Sequence, residues 1–270
     1  MSRVTLDTTG EIWVGTFPGL GQVLIGPDGS IDTRVDAGID TEPDTGVERH
    51  EALRHGWGIP LSHLRLGRSL ISGTSMVDPD GHCLVTHGPM SETTDLALAL
   101  TRLGWHVLAP RLQPVSWDDG RLVAHPNDTP FIVSRGRARQ LDLDGEPVRH
   151  DTDCIRIELP THDQARPVTG ILQVRDRRGN LPPFAHLTGH DRFDRCSHLL
   201  IDWSVTERPA TGRAATPPPP EQRMARALQL TRIPHAELTI APPTSATDDV
   251  APEEMALVEE WWSHIRQDTP

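Results

Sequence analysis

The stretch His82–Ala109, HCLVTHGPMSETTDLALALTRLGWHVLA, decides the fold. It starts with an apolar run, passes through a short turn into a segment with helical spacing, and ends in a second apolar run, Trp105–Ala109. The helical segment, Glu92–Leu103, is followed by Gly104, the residue type that commonly ends helices. A strand, turn, helix and strand of these lengths predict a βαβ unit whose crossover leads to a parallel neighbour.

The flanking sequence predicts further strands and helices around this unit. Upstream, Glu11–Phe17 and Gln22–Ile25 alternate apolar and polar residues between turn signals, which indicates a strand meander, and Val47–His55 fits a short helix. Downstream, apolar runs separated by Gly, Pro and Asp extend the same sheet, and helical patterns follow. The runs are Phe131–Ser134, Cys154–Leu159 and Val168–Val174, and the helices start at Thr188, Glu221 and Pro252 and end near Trp203, Thr231 and Gln267. The fold class is therefore α/β, a mixed β-sheet with surrounding helices.

The predicted domain organisation is one unit with one linker. Residues 1–206 form the α/β core together with the N-terminal meander, and residues 207–220, which end in four consecutive prolines, form a stiff linker. Residues 221–270 supply C-terminal helices that pack on the same core.

Composition excludes several classes of function. The chain has 270 residues and a formal net charge of −12, and all 26 basic residues are arginine, so no mechanism that needs a lysine amine is available. The negative charge disfavours nucleic acid and anionic membranes as partners. Three widely spaced cysteines indicate reduced thiols, and with no membrane span or signal segment in the sequence we expect a cytoplasmic, bacterial protein.

From Leu66 to Val115 the order and spacing resemble the HPr-kinase-like family of P-loop proteins, whose core is related to that of phosphoenolpyruvate carboxykinases. That family has a strand, a glycine-rich phosphate loop, a helix of the type TLALALARRGW and a strand ending in paired aspartates, and Gly88–Trp105 follows this pattern. The flanks agree in type, which extends the resemblance over residues 8–262. It implies an HPr-kinase-like P-loop core with ATP-dependent phosphoryl transfer as the family's activity.

The positions that carry this activity do not agree with the family pattern. A phosphate loop needs glycine at its sixth position, then lysine for the β/γ-phosphates and Ser/Thr for Mg²⁺. Counted from Gly88, these places hold Thr93, Thr94 and Asp95, and Ser91 replaces a further loop glycine. On neighbouring strands Ser72 stands for the family's histidine, and Pro110 and Arg111 stand for its aspartates. We therefore expect a degenerate member that keeps the backbone shape of the cradle but uses no nucleotide and no cofactor.

The altered cleft favours two functions. The first is a catalytically inactive accessory protein that binds a peptide or protein partner, which the resemblance associates with peptide-modification or natural-product pathways. The second is an enzyme that reuses the cleft for proton transfer, cyclisation or hydrolysis, with His87, Glu92, Asp95 and Arg111 as its polar set. Glu92 and Asp95 also have a purely structural interpretation, as carboxylates that complement the helix dipole. An apolar groove or exposed sheet edge favours binding, whereas converging titratable groups favour catalysis.

Other patterns carry less information. His190, Asp194 and His198 recur every four residues on a predicted helix with His186 and Cys196 nearby, which suits either a solvated face or a metal site. Ser72, Thr74 and Ser75 lie near histidines but lack the elbow motif of serine hydrolases. Trp261 and Trp262 indicate a packing anchor or a partner interface, and the run from Arg135 to Arg139 indicates a solvated turn.

Overall fold

The computed structural model describes residues 5–7, 10–36, 43–148, 153–176, 182–199, 220–240 and 250–267. The chain divides into two compact units, the first from Met1–Leu70 with Ile201–Pro220 and the second from Ile71–Leu200 with Glu221–Pro270. The predicted linker, residues 207–220, lies outside the described residues except for its last proline, so the predicted domain boundaries there stay a prediction. Among the described helices, none has the length and apolarity needed to cross a membrane.

The first unit is the predicted meander with helices on it. Its antiparallel sheet contains β1 (Thr5–Asp7), β2 (Trp13–Phe17), β3 (Gly21–Ile25) and β4 (Ile31–Val35) in sequential order. Three helical segments follow, α1 (Pro43–Leu53), a π-helical turn (Arg54–Gly58) and α2 (Ile59–Arg65), so the helical region is longer than the predicted Val47–His55. Alternate strand residues pack under them, and this core contains Phe17, Val23, Ile25, Leu53 and Leu61.

The second unit is built on a nine-stranded mixed sheet. Its first six strands along the chain are β5 (Ser69–Ser72), β6 (Thr74–Val77), β7 (Cys83–His87), β8 (His106–Ala109), β9 (Leu112–Asp118) and β10 (Arg121–Ala124), and the last three are β14 (Arg166–Asp176), β15 (Phe184–His186) and β16 (His235–Ile240). The order is β5-β9-β10-β14-β7-β6-β8, with β16 parallel to β14 and β15 antiparallel to β16. The α/β fold class with a mixed sheet is confirmed.

The predicted crossover is present with one difference. Helix α3 (Met90–Arg102) connects β7 to β8, and these strands run parallel because each pairs antiparallel with β6. The two are therefore not direct neighbours, since β6 lies between them. Strand β7 is buried along its whole length, as expected for a strand covered on both faces.

A separate three-stranded sheet corrects one expectation. Strands β11 (Phe131–Ser134), β12 (Glu146–Pro147) and β13 (Cys154–Ile157) pair in the order β11-β13-β12, and helix α4 (Arg135–Gln140) follows β11. The prediction that the runs at Phe131 and Cys154 extend the main sheet is wrong, whereas the third run, Val168–Val174, lies in the main sheet as part of β14. In β11 and β13 buried side chains alternate with half-buried or exposed ones, the pattern of a small antiparallel sheet that covers a core with one face.

The remaining helices pack on both faces of the main sheet. Helix α7 (Pro252–Gln267) shares a core with α3, and α5 (Gly189–Leu199) and α6 (Pro220–Leu230) contribute to the core of the other face. Successive residues of a strand point to opposite faces, so Leu84 belongs to the first core and Val85 to the second. Trp261 and Trp262 are each 3% exposed, which confirms that they are packing anchors. The predicted extension of α5 to Trp203 lies outside the described residues.

Candidate functional site

A cleft of about 610 Å³ opens at the carboxyl ends of the parallel strands β14 and β16. This edge is where ligands bind in open α/β sheets. The first turns of α3 form one wall, and strands β11 and β13 with helix α4 form another. The lining residues are Met90, Ser91, Glu92, Thr94, Asp95, Arg111, Ile132, Val133, Ser134, Arg137, Gln140, Cys154, Asp176 and Ile240.

The turn that precedes α3 is only two residues long. Gly88 has a positive φ of 146°, and a Cβ atom there would collide with the carbonyl oxygen of Val174, so only glycine fits against β14. Pro89 occupies the N-cap position, and α3 begins at Met90. The backbone N–H of Thr93 donates to the carbonyl oxygen of Pro89 at 3.1 Å, as in a regular helix. The expectation that the turn up to Asp95 keeps the shape of a phosphate cradle is therefore wrong, because these residues are already helical.

An ion pair crosses the cleft from α3 to α4. The guanidinium Nε of Arg137 donates to Asp95 Oδ1 at 2.8 Å, and both side chains are less than one-fifth exposed. Arg137 also donates to Gln140 Oε1 at 3.2 Å. Burial raises the pKa of Asp95 above its ordinary value, although the hydrogen bond and the charge of Arg137 act in the opposite direction. The pair therefore joins α3 to α4 and places a positive and a negative charge on the two walls of the cleft.

The acidic first turn of α3 also faces the cleft. Glu92 lies in this turn and accepts a hydrogen bond from the Ser91 hydroxyl at 2.5 Å. A carboxylate here complements the positive end of the helix dipole. In P-loop proteins the partial positive charge at the N-terminus of the helix attracts phosphate. In α3 the carboxylate of Glu92 offsets this charge.

Arg111 lines the same cleft from an uncommon backbone conformation. Its φ is 66°, and the N–H of Leu112 donates to the carbonyl oxygen of Pro110 at 2.8 Å, which closes a γ-turn around Arg111. Two contacts from the β5–β6 corner hold this turn. The N–H of Gly73 donates to Arg111 O at 2.9 Å, and the N–H of Arg111 donates to Thr74 Oγ1 at 3.4 Å.

His87 is not part of the cleft, although the sequence places it with Glu92, Asp95 and Arg111. Its side chain lies on the other face of the sheet, the face that carries Val85, and it is 9% exposed. The His87 ring meets the His235 ring edge-on, with ring centroids 5.9 Å apart. The structure therefore brings together three of the four predicted polar residues and separates the imidazole from them.

The two buried histidines form a polar cluster under α5. His235 Nδ1 lies 3.6 Å from Cys196 Sγ, and neither His87 Nε2 nor His235 Nε2 has a hydrogen-bond partner among the described residues. Burial is the main reason that the pKa of His87 falls to about 4 and that of His235 to about 3. The nearby charges of Arg195 and Arg175 act on His87 in the same direction, and His87 and Arg192 do so on His235.

The predicted metal candidates are not brought together. His190, Asp194 and His198 are all exposed on α5, with His198 Nε2 3.9 Å from Asp194 Oδ1. Cys196 points into the core instead, with 0% exposure. In the part of the chain that the structure describes, no group of three His, Cys, Asp or Glu side chains is arranged to hold a metal ion.

The serine candidates and the arginine run also have structural contacts. Ser75 is buried and its hydroxyl donates to Gln113 Oε1, whereas Ser72 is exposed at the end of β5.

The run from Arg135 is helix α4 and not a solvated turn, because Ser134 Oγ accepts from the N–H of Arg137 as an N-cap. That serine is the sequence signal that predicts the helix. No local signal predicts the contact of Arg137 with Asp95, because the two are 42 residues apart.

Comparison with known proteins gives one distant similarity. No family model matches the chain, and no curated protein matches it. Among solved structures it is similar to the Hpr(Ser) kinase/phosphatase from Coxiella burnetii, with 10% sequence identity over 74% of this chain and 97% of that chain and a TM-score of 0.37. At this score the similarity is one of general arrangement, and the α/β assignment stands on the mixed sheet and its helices.

Proposed function

We propose that this chain is a non-phosphorylating, kinase-like accessory protein whose cleft binds an extended segment of a peptide or protein. The observation that carries the proposal is the start of α3 at Met90, only two residues after Gly88. A phosphate loop works by wrapping free backbone N–H groups around the phosphates. Here the backbone N–H of Thr93 donates to the carbonyl oxygen of Pro89, so the first turn of α3 takes the place of the loop and forms a wall of the cleft.

The side chains around the cleft support the exclusion of nucleotide. There is no lysine to reach a triphosphate, and the two residues that replace the family's aspartates, Pro110 and Arg111, offer no oxygen ligand for Mg²⁺ from their side chains. Glu92 adds a carboxylate at the helix end that a phosphate would approach. We therefore propose a protein that works without nucleotide and without a metal cofactor.

The walls of the cleft suit a peptide. Its volume lies in the range of ligand pockets, and its surface combines apolar side chains with hydroxyl, amide and charged groups of both signs. Met90, which is 58% exposed, adds a flexible apolar contact that adapts to different partners. A peptide in which apolar and polar side chains alternate is complementary to such a surface.

One sheet edge borders the cleft and offers backbone contacts. Strand β11 is an edge strand, since it pairs only with β13 among the described strands. Its residues Ile132, Val133 and Ser134 line the cleft. An extended peptide that adds a strand to this edge gains main-chain hydrogen bonds while its side chains enter the cleft.

A second candidate function, acid–base catalysis in the same cleft, has one observation in its favour, the raised pKa of Asp95. Asp95 is held by Arg137, however, and His87, the imidazole of the predicted catalytic set, does not line the cleft. We therefore prefer binding. The resemblance to kinase-like genes of peptide-modification pathways makes a peptide of such a pathway the expected partner, by analogy at the level of fold.

Selection from a randomised peptide library tests the proposal. Since the chain has no lysine, amine-reactive biotin attaches at the α-amino group alone and leaves the cleft unmodified. We expect selected peptides to bind the wild type and to bind an Ile132→Arg variant about tenfold more weakly or worse, because the new side chain fills the apolar wall. Leu103→Arg is the matched control, since Leu103 is an exposed apolar residue just after the far end of α3. Peptides that bind Ile132→Arg as well as the wild type, or a library without any enriched peptide, contradict the proposal.

A further inference from the structure

A small cavity of about 90 Å³ lies beside the cleft, and we propose that it receives a carboxylate group of the bound peptide. The two cavities share lining residues at Met90, Thr94, Arg111 and Ile132, so a peptide in the cleft reaches the small cavity directly. This inference rests on the proposed peptide binding and names the chemical group that the protein selects. The carboxylate is that of the peptide's C-terminus or of an aspartate or glutamate side chain.

The charge distribution points to an anion. Among the described residues that line the small cavity, Arg111 is the one charged side chain. Three carboxylates of the described residues, Glu92, Asp95 and Asp176, line the larger cleft and are not among the described residues that line this cavity. The other polar groups are hydroxyls, which donate readily to a carboxylate: those of Ser72, Thr74 and Thr94 line the cavity, whereas the Thr93 hydroxyl already donates to the carbonyl oxygens of Pro89 and Met90. A planar guanidinium with five N–H donors matches a carboxylate better than any other side chain does.

The size and walls of the cavity fit the same group. At about 90 Å³ the cavity has room for a carboxylate with a short stem. Phe131, Ile132 and Pro110 form apolar walls. Such walls exclude water and strengthen the attraction between the guanidinium and an anion.

The backbone of Arg111 provides an independent observation. A γ-turn with positive φ is strained, and a long side chain such as arginine rarely occupies it. The strain persists because Gly73 and Thr74 hold the turn through hydrogen bonds. Strained residues of this kind concentrate at ligand sites. Here the turn fixes the point from which the guanidinium extends along both cavities.

A set of matched peptide pools tests the inference. Each pool is synthesised with a free C-terminal acid and with a C-terminal amide, and each form is made with and without one internal aspartate. We expect peptides that contain at least one carboxylate to bind about tenfold more tightly than the amidated pool without aspartate. Loss of binding on amidation alone assigns the group to the C-terminus, and recovery with internal aspartate assigns it to a side chain.

Variants of Arg111 separate charge from backbone. Asparagine tolerates positive φ, so Arg111→Asn removes the charge while keeping the turn, and Arg111→Gly is the second variant if the first does not fold. We expect both to abolish the preference for carboxylate, whereas Arg111→Lys keeps part of it and Arg121→Asn, on an exposed arginine of β10, keeps all of it. If Arg111→Asn retains the preference, or the neutral pool binds equally tightly, the carboxylate inference is wrong and peptide binding stands. If no pool binds, peptide binding itself fails.

Discussion

Replacing Asp78 by alanine is expected to lower the free energy of unfolding by about 3–5 kcal/mol, because it leaves the groups that donate to this buried carboxylate without an acceptor. Asp78 lies between β6 and β7 and is 5% exposed. Its Oδ1 accepts from the N–H groups of Asp80 at 3.0 Å and His82 at 2.8 Å. Its Oδ2 accepts from Trp262 Nε1 at 2.9 Å and from Arg266 at 3.0 Å, which ties α7 to the sheet.

Urea unfolding followed by tryptophan fluorescence measures this effect. Asp80→Ala is the matched control, because Asp80 also contacts Arg266 but its side chain is 68% exposed, and exposed pairs contribute about 0–1 kcal/mol. Asp78→Asn preserves the shape and isolates the role of the charge. A loss for Asp78→Ala no larger than that of Asp80→Ala would show that the hydrogen bonds to α7 do not hold the helix in place.

The second large effect is a loss of stability when the pH falls below about 6.5, caused by His87 and His235. In the folded protein their pKa values are about 4 and about 3, whereas an unperturbed histidine titrates at 6.5. The unfolded chain therefore binds more protons than the native state as the pH falls from 6.5 towards 4, and stability decreases over this window. Well above pH 6.5 the imidazoles are neutral in both states, and the two histidines no longer lower the stability.

The surroundings of the pair determine the size of this effect. The groups that face it are Arg175 and Glu237 on the strands and Arg192, Arg195 and Cys196 on α5, so cations outnumber anions. Burial raises the pKa of Cys196 to about 12, so its thiol stays neutral throughout the window. We expect a decrease on the order of 1 kcal/mol per histidine for each pH unit.

Urea midpoints measured from pH 7.5 to 4.5 test this prediction. The variant with His87→Gln and His235→Gln lacks both titrating groups, and we expect its stability to change much less between pH 6.5 and 5. The exposed pair His190 and His198 provides the matched control, since the same substitutions there leave the wild-type slope unchanged. Equal slopes for the wild type and the buried double variant would contradict the assignment.

Local sequence patterns predict much of the fold, because the formation and the ends of helices depend on residues that are close together in the sequence. The segment from β7 to β8 combines a helical period with Gly104 at its end, and α7 has the predicted bounds. Long-range pairing carries no such signal. The runs at Phe131 and Cys154 were correctly predicted as strands, yet their separate sheet depends on which partners they meet.

The candidate site was less predictable, and two residues show why. His87 immediately precedes Gly88 at the end of β7, but the face it occupies depends on which side α3 covers, and the sequence does not state this. The start of α3 had a usable signal, since proline is favoured at the beginning of a helix and Glu92 suits its first turn. Helix α3 begins at Met90, two residues before the predicted start at Glu92. This small difference matters because the residues of a phosphate loop would have to lie between Gly88 and the start of the helix.

Titration with ATP and Mg²⁺ tests the central claim, the absence of a phosphate cradle before α3, most directly. A ligand that binds the folded state raises the melting temperature in proportion to the logarithm of its excess over the dissociation constant. We predict an unchanged melting temperature up to millimolar ATP with Mg²⁺ and no release of ADP. A melting temperature that rises with ATP concentration and requires Mg²⁺ would contradict the account.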